Sequence, residues 1–320
     1  MSLVSIIIPT YNRAHLITET LDSIKSQTHT YWECIIVDDN STDNTKEVIE
    51  NYSKNDARFI YAKRPQHMPK GANACRNYGF QLSKGDFINW FDSDDIMHEN
   101  KLSVQLKSLE FNTESPYSIC QSNWFDKESN KDLGLRSRTI DSKNRLEDYC
   151  LYNIVWLTTA PLWRKGFLEK YNLKFDEELH QSQEYDFHTK ALYISDKYTI
   201  VKEPLLTLIK HNEAISNNIF QDFKIESNLK VKGNVTKDYL PNFTASGKLK
   251  WLEILTLYYK ELLIRGKKEY AKKSIPLIFR SVEEVEISFI SRLSFKLKII
   301  LTYMSFVFFG KGYKLVKPLT

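Results

Sequence analysis

Through the first hundred residues, short apolar runs of strand length alternate with segments whose apolar positions recur at helical spacing. Val4-Ser5-Ile6-Ile7-Ile8-Pro9 and Glu33-Cys34-Ile35-Ile36-Val37 are the β-branched runs that strands buried on both faces of a parallel sheet require. Arg58 to Ala62 and Phe87 to Phe91 predict two further strands. Between them, Leu16, Ile17, Leu21 and Ile24 share one helical face, with Asn12 placed to cap it. Ser41 to Asn44 open a second helix with Val48, Ile49 and Tyr52 inward, and Ala72 to Leu82 reads as a third, after a loop containing Pro65, Pro69 and Gly71. This rhythm predicts an α/β fold, a doubly wound sheet with helices on both faces. The strands run out into Thr10-Tyr11-Asn12-Arg13, Asp38-Asp39-Asn40-Ser41 and Asp92-Ser93-Asp94-Asp95. Open α/β sheets bind ligands outside the carboxyl ends of their strands, so these polar ends are expected to converge on one crevice.

The third of those ends carries the sharpest chemistry. Carboxylates packed so closely repel one another, and a divalent cation removes the conflict. Magnesium and manganese take oxygen ligands and commonly use one or two carboxylates together with nucleotide phosphates. Asp95, just before Ile96-Met97-His98-Glu99-Asn100-Lys101, is a good helix N-cap, which leaves Asp92 and Asp94 for the metal. The first strand is followed by no Gly-x-Gly-x-x-Gly and no Gly-x-x-x-x-Gly-Lys-Ser/Thr, so neither a dinucleotide cofactor nor a P-loop is indicated.

Beyond residue 100 the pattern loosens. Pro116 to Trp124 predicts a strand, and the polar stretch from Asp126 to Lys143 reads as a mobile loop. From about Asp222 only long helical patterns follow: Leu252, Leu255, Tyr259, Leu262 and Leu263 form one face, and Gly266 marks a turn. The expected division is an α/β domain over residues 1–220 and a helical region over 221–320. From Ile287 onward there are six basic residues, Arg292, Lys296, Lys298, Lys311, Lys314 and Lys317, and no acids. They flank Ile299 to Phe309, which is shorter than the ~20 residues that span a bilayer. Two readings compete there: a helix buried against the catalytic domain, and interfacial docking on an anionic membrane.

A net charge of +5 is too small to argue for nucleic acid, and no nucleic-acid partner is expected. Cys34, Cys75, Cys120 and Cys150 form no Cys-x-x-Cys pair, as expected of reduced thiols. Val4 to Pro9 is too short for a signal core, so a cytoplasmic location is expected, with the inner membrane face as the peripheral alternative.

Four segments, in order, resemble a known family: Val4 to Arg13, Ile36 to Asp43, Gly71 with Ala74-Cys75-Arg76-Asn77-Tyr78-Gly79, and Phe91-Asp92-Ser93-Asp94-Asp95. They look like the family 2 glycosyltransferases of GT-A fold, a Rossmann-like, mostly parallel mixed sheet, over roughly residues 3–215. The resemblance implies an inverting, Mn2+- or Mg2+-dependent transfer from a nucleotide-diphospho-sugar donor, most simply a UDP-sugar. The acceptor would be a hydroxyl of a saccharide or lipid-linked saccharide in cell-surface polysaccharide or glycolipid synthesis.

The same resemblance implies roles. Pro9, Tyr11 and Arg13 line the nucleotide, with the Tyr11 ring near the base, and Asp39 accepts from the uracil imide; Asp38 is the alternative acceptor or a turn-former. Gly71 lets the backbone approach, Lys70 or Arg76 lies near the phosphates, and Arg76 is alternatively a structural partner for a carboxylate. Asp92 and Ser93 contact the nucleotide, Asp92 near the ribose, and Asp94 holds the metal with Asp92 and His211 beside it. Trp156, in a segment that resembles the acceptor-facing one, could stack on a sugar or belong to the core. At the position of the general base, where the family commonly has Asp, Glu184 stands one methylene longer, and Asp186 is the alternative. A departure at this position motivates a second reading, a nucleotide-sugar-binding protein without the chemistry.

Overall fold

The computed structural model describes residues 2–210 and 220–312, and the chain divides into two compact units. One comprises Met1–Leu146 with Ile154–Asn217, the other Glu147–Asn153 with Asn218–Thr320.

The first unit is built on a mixed sheet. Strands β1 (Val4–Thr10), β2 (Trp32–Asp38), β3 (Phe59–Lys63) and β4 (Phe87–Trp90) run parallel in the order β3-β2-β1-β4. β1 and β2 are buried at every position, as their β-branched runs demand. β5 is a two-residue strand, Ile96–Met97. The mixed half continues from β4 through antiparallel β8 (Pro161–Arg164) to β6 (Tyr117–Asp126), which runs antiparallel to β8 and parallel to β9 (Thr199–Lys210); β5 pairs antiparallel with β9, and β7 (Lys131–Leu135) antiparallel with β6. Helices α1 (Ile17–Lys25), α2 (Thr45–Asn55) and α3 (Ala72–Leu82) are the crossovers of the parallel half. α3 lies hard against β1 because Gly79 has no side chain; a Cβ there would collide with Ile7 Cγ2. Trp90 at the end of β4 meets Trp163, Phe175 and Phe187 in an aromatic core.

Several local expectations yield to tertiary structure. Asp95 caps no helix: α4 (Lys101–Phe111) begins six residues later, and the intervening chain forms β5. Asp95 is buried instead, its Oδ1 accepting from the Ile209 N–H at 3.1 Å and its carbonyl from the Thr20 hydroxyl at 2.9 Å. Asn12 does not cap α1 either. It adopts a left-handed φ of 51° and its Oδ1 accepts from the Thr42 N–H at 2.8 Å, which joins the loop after β1 to the loop after β2. The polar stretch after Asp126 is not one loop, since β7 forms a hairpin with β6. Trp156 is 1 % exposed and packs against His188 and Tyr198, so it belongs to the core and not to a sugar platform.

Behind the acidic strand end lies a buried lysine that the pattern did not anticipate. Lys101 Nζ donates to Gln105 Oε1 at 2.8 Å and Asn89 Oδ1 at 3.2 Å, and burial pushes its ammonium down to about 8. Asn89 in turn donates to the carbonyls of Thr159 and Pro161. This network fixes β4 against α4 and β8, immediately before the chain reaches Asp92.

The remaining helices of the sheet's end are α5 (Arg145–Cys150), which runs across the division between the units, α6 (Lys165–Lys170) and α7 (Gln183–Ile194). The second unit is helical: α8 (Asp222–Asn234), α9 (Ala245–Ile264), α10 (Lys268–Glu283) and α11 (Phe289–Phe309). Thr244 caps α9, its hydroxyl accepting from the Gly247 N–H at 3.0 Å, and Glu147 secures that cap by accepting from the Thr244 N–H and hydroxyl. Gly266, at a left-handed φ of 72°, makes the turn into α10.

Candidate active site

Loops leaving the carboxyl ends of β1, β2 and β4 are cross-linked before any ligand is considered. Asp38 accepts from the Ser41 N–H and hydroxyl through Oδ1 and from the Tyr61 hydroxyl through Oδ2, so the first acid of its pair is consumed in making the turn. Ser41 accepts from the Asn12 N–H, and Thr45 from the Arg13 N–H. The loop that carries Tyr11 and Arg13 is thus held by the loop that carries Asp39.

Asp39 is buried, and its Oδ1 receives the Nε–H of Arg64, a residue at the end of β3 that sequence reasoning passed over. Arg64 also donates to the carbonyls of Pro65 and Met68, which shapes the chain leading to Lys70 and Gly71. A basic residue closing a strand beside the acid-ended β2 was the available signal. Lys70 Nζ lies 4.4 Å over the ring of Tyr11, an exposed aromatic. Gly71 opens α3 at φ 134°, a conformation that L side chains rarely adopt. Pro9 is buried within β1.

At the end of β4, Arg76 Nη2 donates to Asp92 Oδ1 at 2.8 Å. Arg76 itself is buried, held by Asn73 Oδ1 at 3.2 Å and set over the Phe175 ring. Its pairing with Asp92 realises the structural alternative for this residue, one bond away from the acids of the crevice. Ser93 is buried and Asp94 is partly exposed, 3.9 Å from Arg13 Nη2. Burial, together with the charges of Asp94 and Asp92, pushes the Asp95 carboxyl well above the usual carboxylate range. Asp92 and Asp94, the residues named as metal ligands, each face an arginine, and their hard oxygens suit a magnesium or manganese ion that completes its shell with phosphate. Among the described residues no group of three or more His, Cys, Asp and Glu makes a ready-built metal cage, and His211 lies outside the described residues.

α7 brings in the last carboxylates. Gln183 Oε1 lies 3.5 Å from Arg76 Nη1, which places the start of this helix beside the Arg76–Asp92 pair. Glu184 follows it, partly buried; burial raises its carboxyl above the ordinary glutamate value, with Asp92 adding to the rise and the charges of Arg76 and Arg136 opposing it. Arg136, just beyond β7, was not foreseen, and its guanidinium stands over the Trp124 ring at 4.7 Å. Asp186 is 1 % exposed and pairs with Lys190 one turn along α7. One helix thus carries a carboxylate that interacts with Arg76 and Asp92 and another paired within the helix. His188, further along, is buried among Trp156, Trp163 and Phe187, and burial pushes its imidazole down to about 3, which keeps it neutral.

A sheet of this order with acids gathered at its carboxyl ends defines an α/β protein of GT-A type. The model of glycosyl transferase family 2 matches residues 5–169, just over half of the chain, and the chain belongs to that family. An Escherichia coli UDP-Glc:alpha-D-GlcNAc-diphosphoundecaprenol beta-1,3-glucosyltransferase is 36% identical over 107 residues, 33% of this chain and 41% of that protein. The Campylobacter jejuni GalNAc(5)-diNAcBac-PP-undecaprenol beta-1,3-glucosyltransferase is 29% identical over 185 residues, 57% of this chain and 58% of that protein. In both cases the match spans less than two thirds of the relative. Among solved structures, S. aureus TarS in complex with UDP-GlcNAc superposes with a TM-score of 0.67 over 98% of this chain and 89% of that one, at 18% identity, a likeness of fold.

Proposed function

We propose that the chain is an inverting glycosyltransferase that moves a sugar from a UDP-sugar to a hydroxyl of a lipid-linked saccharide at an anionic membrane surface. The observation that carries this reading is Glu184: a partly buried carboxylate with a raised pKa, placed beside the Arg76–Asp92 pair. A general base needs a pKa drawn toward the working pH and a position at the reacting hydroxyl. The acceptor oxygen attacks the anomeric carbon, the bond from that carbon to the diphosphate breaks, and Glu184 takes the acceptor proton. A single displacement inverts the anomeric centre.

The donor's base would enter beside Tyr11 and Asp39, and its ribose would meet Asp92 and Ser93. Asp94, with Asp92, would hold the divalent ion, which when bound neutralises charge on the departing diphosphate. Lys70, Gly71 and Arg13 complete the nucleotide side, with Arg13 and Arg76 balancing the carboxylates until the donor arrives. Asp186, paired with Lys190 one turn along, supports the helix that carries Glu184. The lipid-linked acceptor is supported by the names of the E. coli and C. jejuni relatives, which give saccharides carried on undecaprenol diphosphate.

Turnover separates this enzyme from a binding protein of the same fold. Incubation with a panel of UDP-sugars and manganese is expected to release UDP, faster when a diphospholipid-linked saccharide is added. Tight UDP-sugar binding with no UDP release under any of these conditions would reject the catalytic reading.

A further inference from the structure

Helix α11 is amphipathic in an inverted sense. Phe295, Ile299, Thr302 and Phe306 are buried within the second unit, where the Tyr259 hydroxyl also donates to the Ile299 carbonyl at 2.9 Å. On the opposite side Ile290, Leu293, Leu297, Leu301, Met304 and Phe308 recur at three- and four-residue spacing and form one stripe. That stripe faces out: Leu297 is 53 % exposed, Leu301 47 % and Phe308 70 %. Scattered exposed leucines need no explanation, but a continuous row along a helix of 21 residues, roughly 30 Å long, does.

Charge decides what covers it. At 100° per residue, Lys296 flanks the stripe on one side and Lys298 on the other, while Lys296 and Arg292 reach back to Glu283 of α10. From Ile287 to the end of the chain there are six basic residues and no acid. A second copy docking through the same stripe would bring basic flank against basic flank, with Glu283 already engaged by Lys296 and Arg292. The helix does not read as a span, because three charges interrupt it and no described helix is long and apolar enough to cross a membrane. An apolar stripe between lysines is what an interfacial helix presents: apolar side chains enter the acyl boundary while the ammonium groups stay at the phosphate level.

We propose that the outward stripe of α11, with Lys296 and Lys298 at its flanks, is the surface by which the chain docks on anionic lipid. The inference deepens the reading of a membrane-borne acceptor and rests on it for its purpose. Its physical basis is independent of catalysis.

The test uses the full chain and two kinds of vesicle, phosphatidylcholine alone and phosphatidylcholine with phosphatidylglycerol. Co-sedimentation with the anionic vesicles is expected at about 0.1 M salt, with little on the neutral ones. It should weaken at about 1 M, where the screening length falls from about 10 Å to about 3 Å. The double variant Leu297→Glu, Leu301→Glu should lose binding at least about tenfold, since it sets carboxylates in the acyl boundary and among anionic headgroups. Lys298→Glu, an exposed charge reversal that leaves the apolar stripe intact, should lose less. UDP affinity should stay unchanged in all variants, which separates failure of the docking proposal from failure of the catalytic one. Equal sedimentation of wild type and double variant would overturn the proposal, as would absence of binding to anionic vesicles. A wild-type dimer in solution that the double variant splits, with vesicle binding untouched, would assign the stripe to a second copy.

Discussion

Replacing Glu184 by Gln is expected to lower sugar transfer by about 10²- to 10⁴-fold, the range a positioned general base contributes, while donor affinity stays within a few-fold. The amide keeps the shape and hydrogen-bonding reach of the side chain but cannot take the acceptor proton. The wild-type rate should also carry the signature of this group. Below its pKa the carboxyl is protonated and idle, so transfer rises with pH through an acid limb, and burial beside Asp92 moves that limb above the 4.5 of an ordinary glutamate. In Glu184→Gln the limb disappears along with the rate. Asp186→Asn should behave differently. It removes the buried partner of Lys190 and is expected to reduce thermal stability more than the chemical step. Near-normal transfer by Glu184→Gln, with its acid limb intact, would move the base elsewhere.

The second large effect concerns Asp39 and is first an effect on folding. Asp39 and Arg64 are each more than nine-tenths buried at the side chain and face one another. Removing one partner of a buried pair leaves the other charge without compensation, at a cost of about 3–5 kcal/mol. Asp39→Ala should therefore lower the melting temperature by roughly 10 °C and abolish UDP binding. The double variant Asp39→Ala, Arg64→Met replaces both charges by apolar groups and should recover most of the stability. It should not recover UDP binding, because the acceptor for the base is still gone. Full recovery of binding by the double variant would show that Asp39 serves Arg64 and not the nucleotide.

Much of the first unit was legible because strands buried on both faces need continuous β-branched runs, and Val4 to Pro9 and Cys34 to Val37 supply them. The acids at the ends of β2 and β4 were legible for a related reason: polar residues directly after such a run mark where the chain leaves the sheet. What escaped was decided by partners far along the chain. Asp95 satisfies every local rule for a cap, yet Ile209, 114 residues later, claims its side chain. Asn12 is drawn into the loop after β2 by Thr42 in the same way. Arg64 and Arg136 were passed over because the fold supplies their partners: β3 sets Arg64 against Asp39, and the β6–β7 hairpin carries Arg136 toward Glu184. In α11 the helix extends ten residues ahead of the apolar stretch read from sequence, because Arg292, Lys296 and Lys298 break the run without breaking the helix.

A divalent ion at the end of β4 is the proposed means by which the chain recognises a nucleotide diphosphate. Calorimetric titration with UDP, with and without manganese, on the wild-type chain and on Asp94→Ala tests it most directly. Asp94 is partly exposed and stands 3.9 Å from Arg13, a long ion pair, so its loss should leave the melting temperature close to wild type. The expected result is manganese-dependent UDP binding by the wild type and none of that dependence in Asp94→Ala. Equal UDP affinity in the two proteins with manganese present would contradict the assignment of Asp94 and the cation-dependent site built around it.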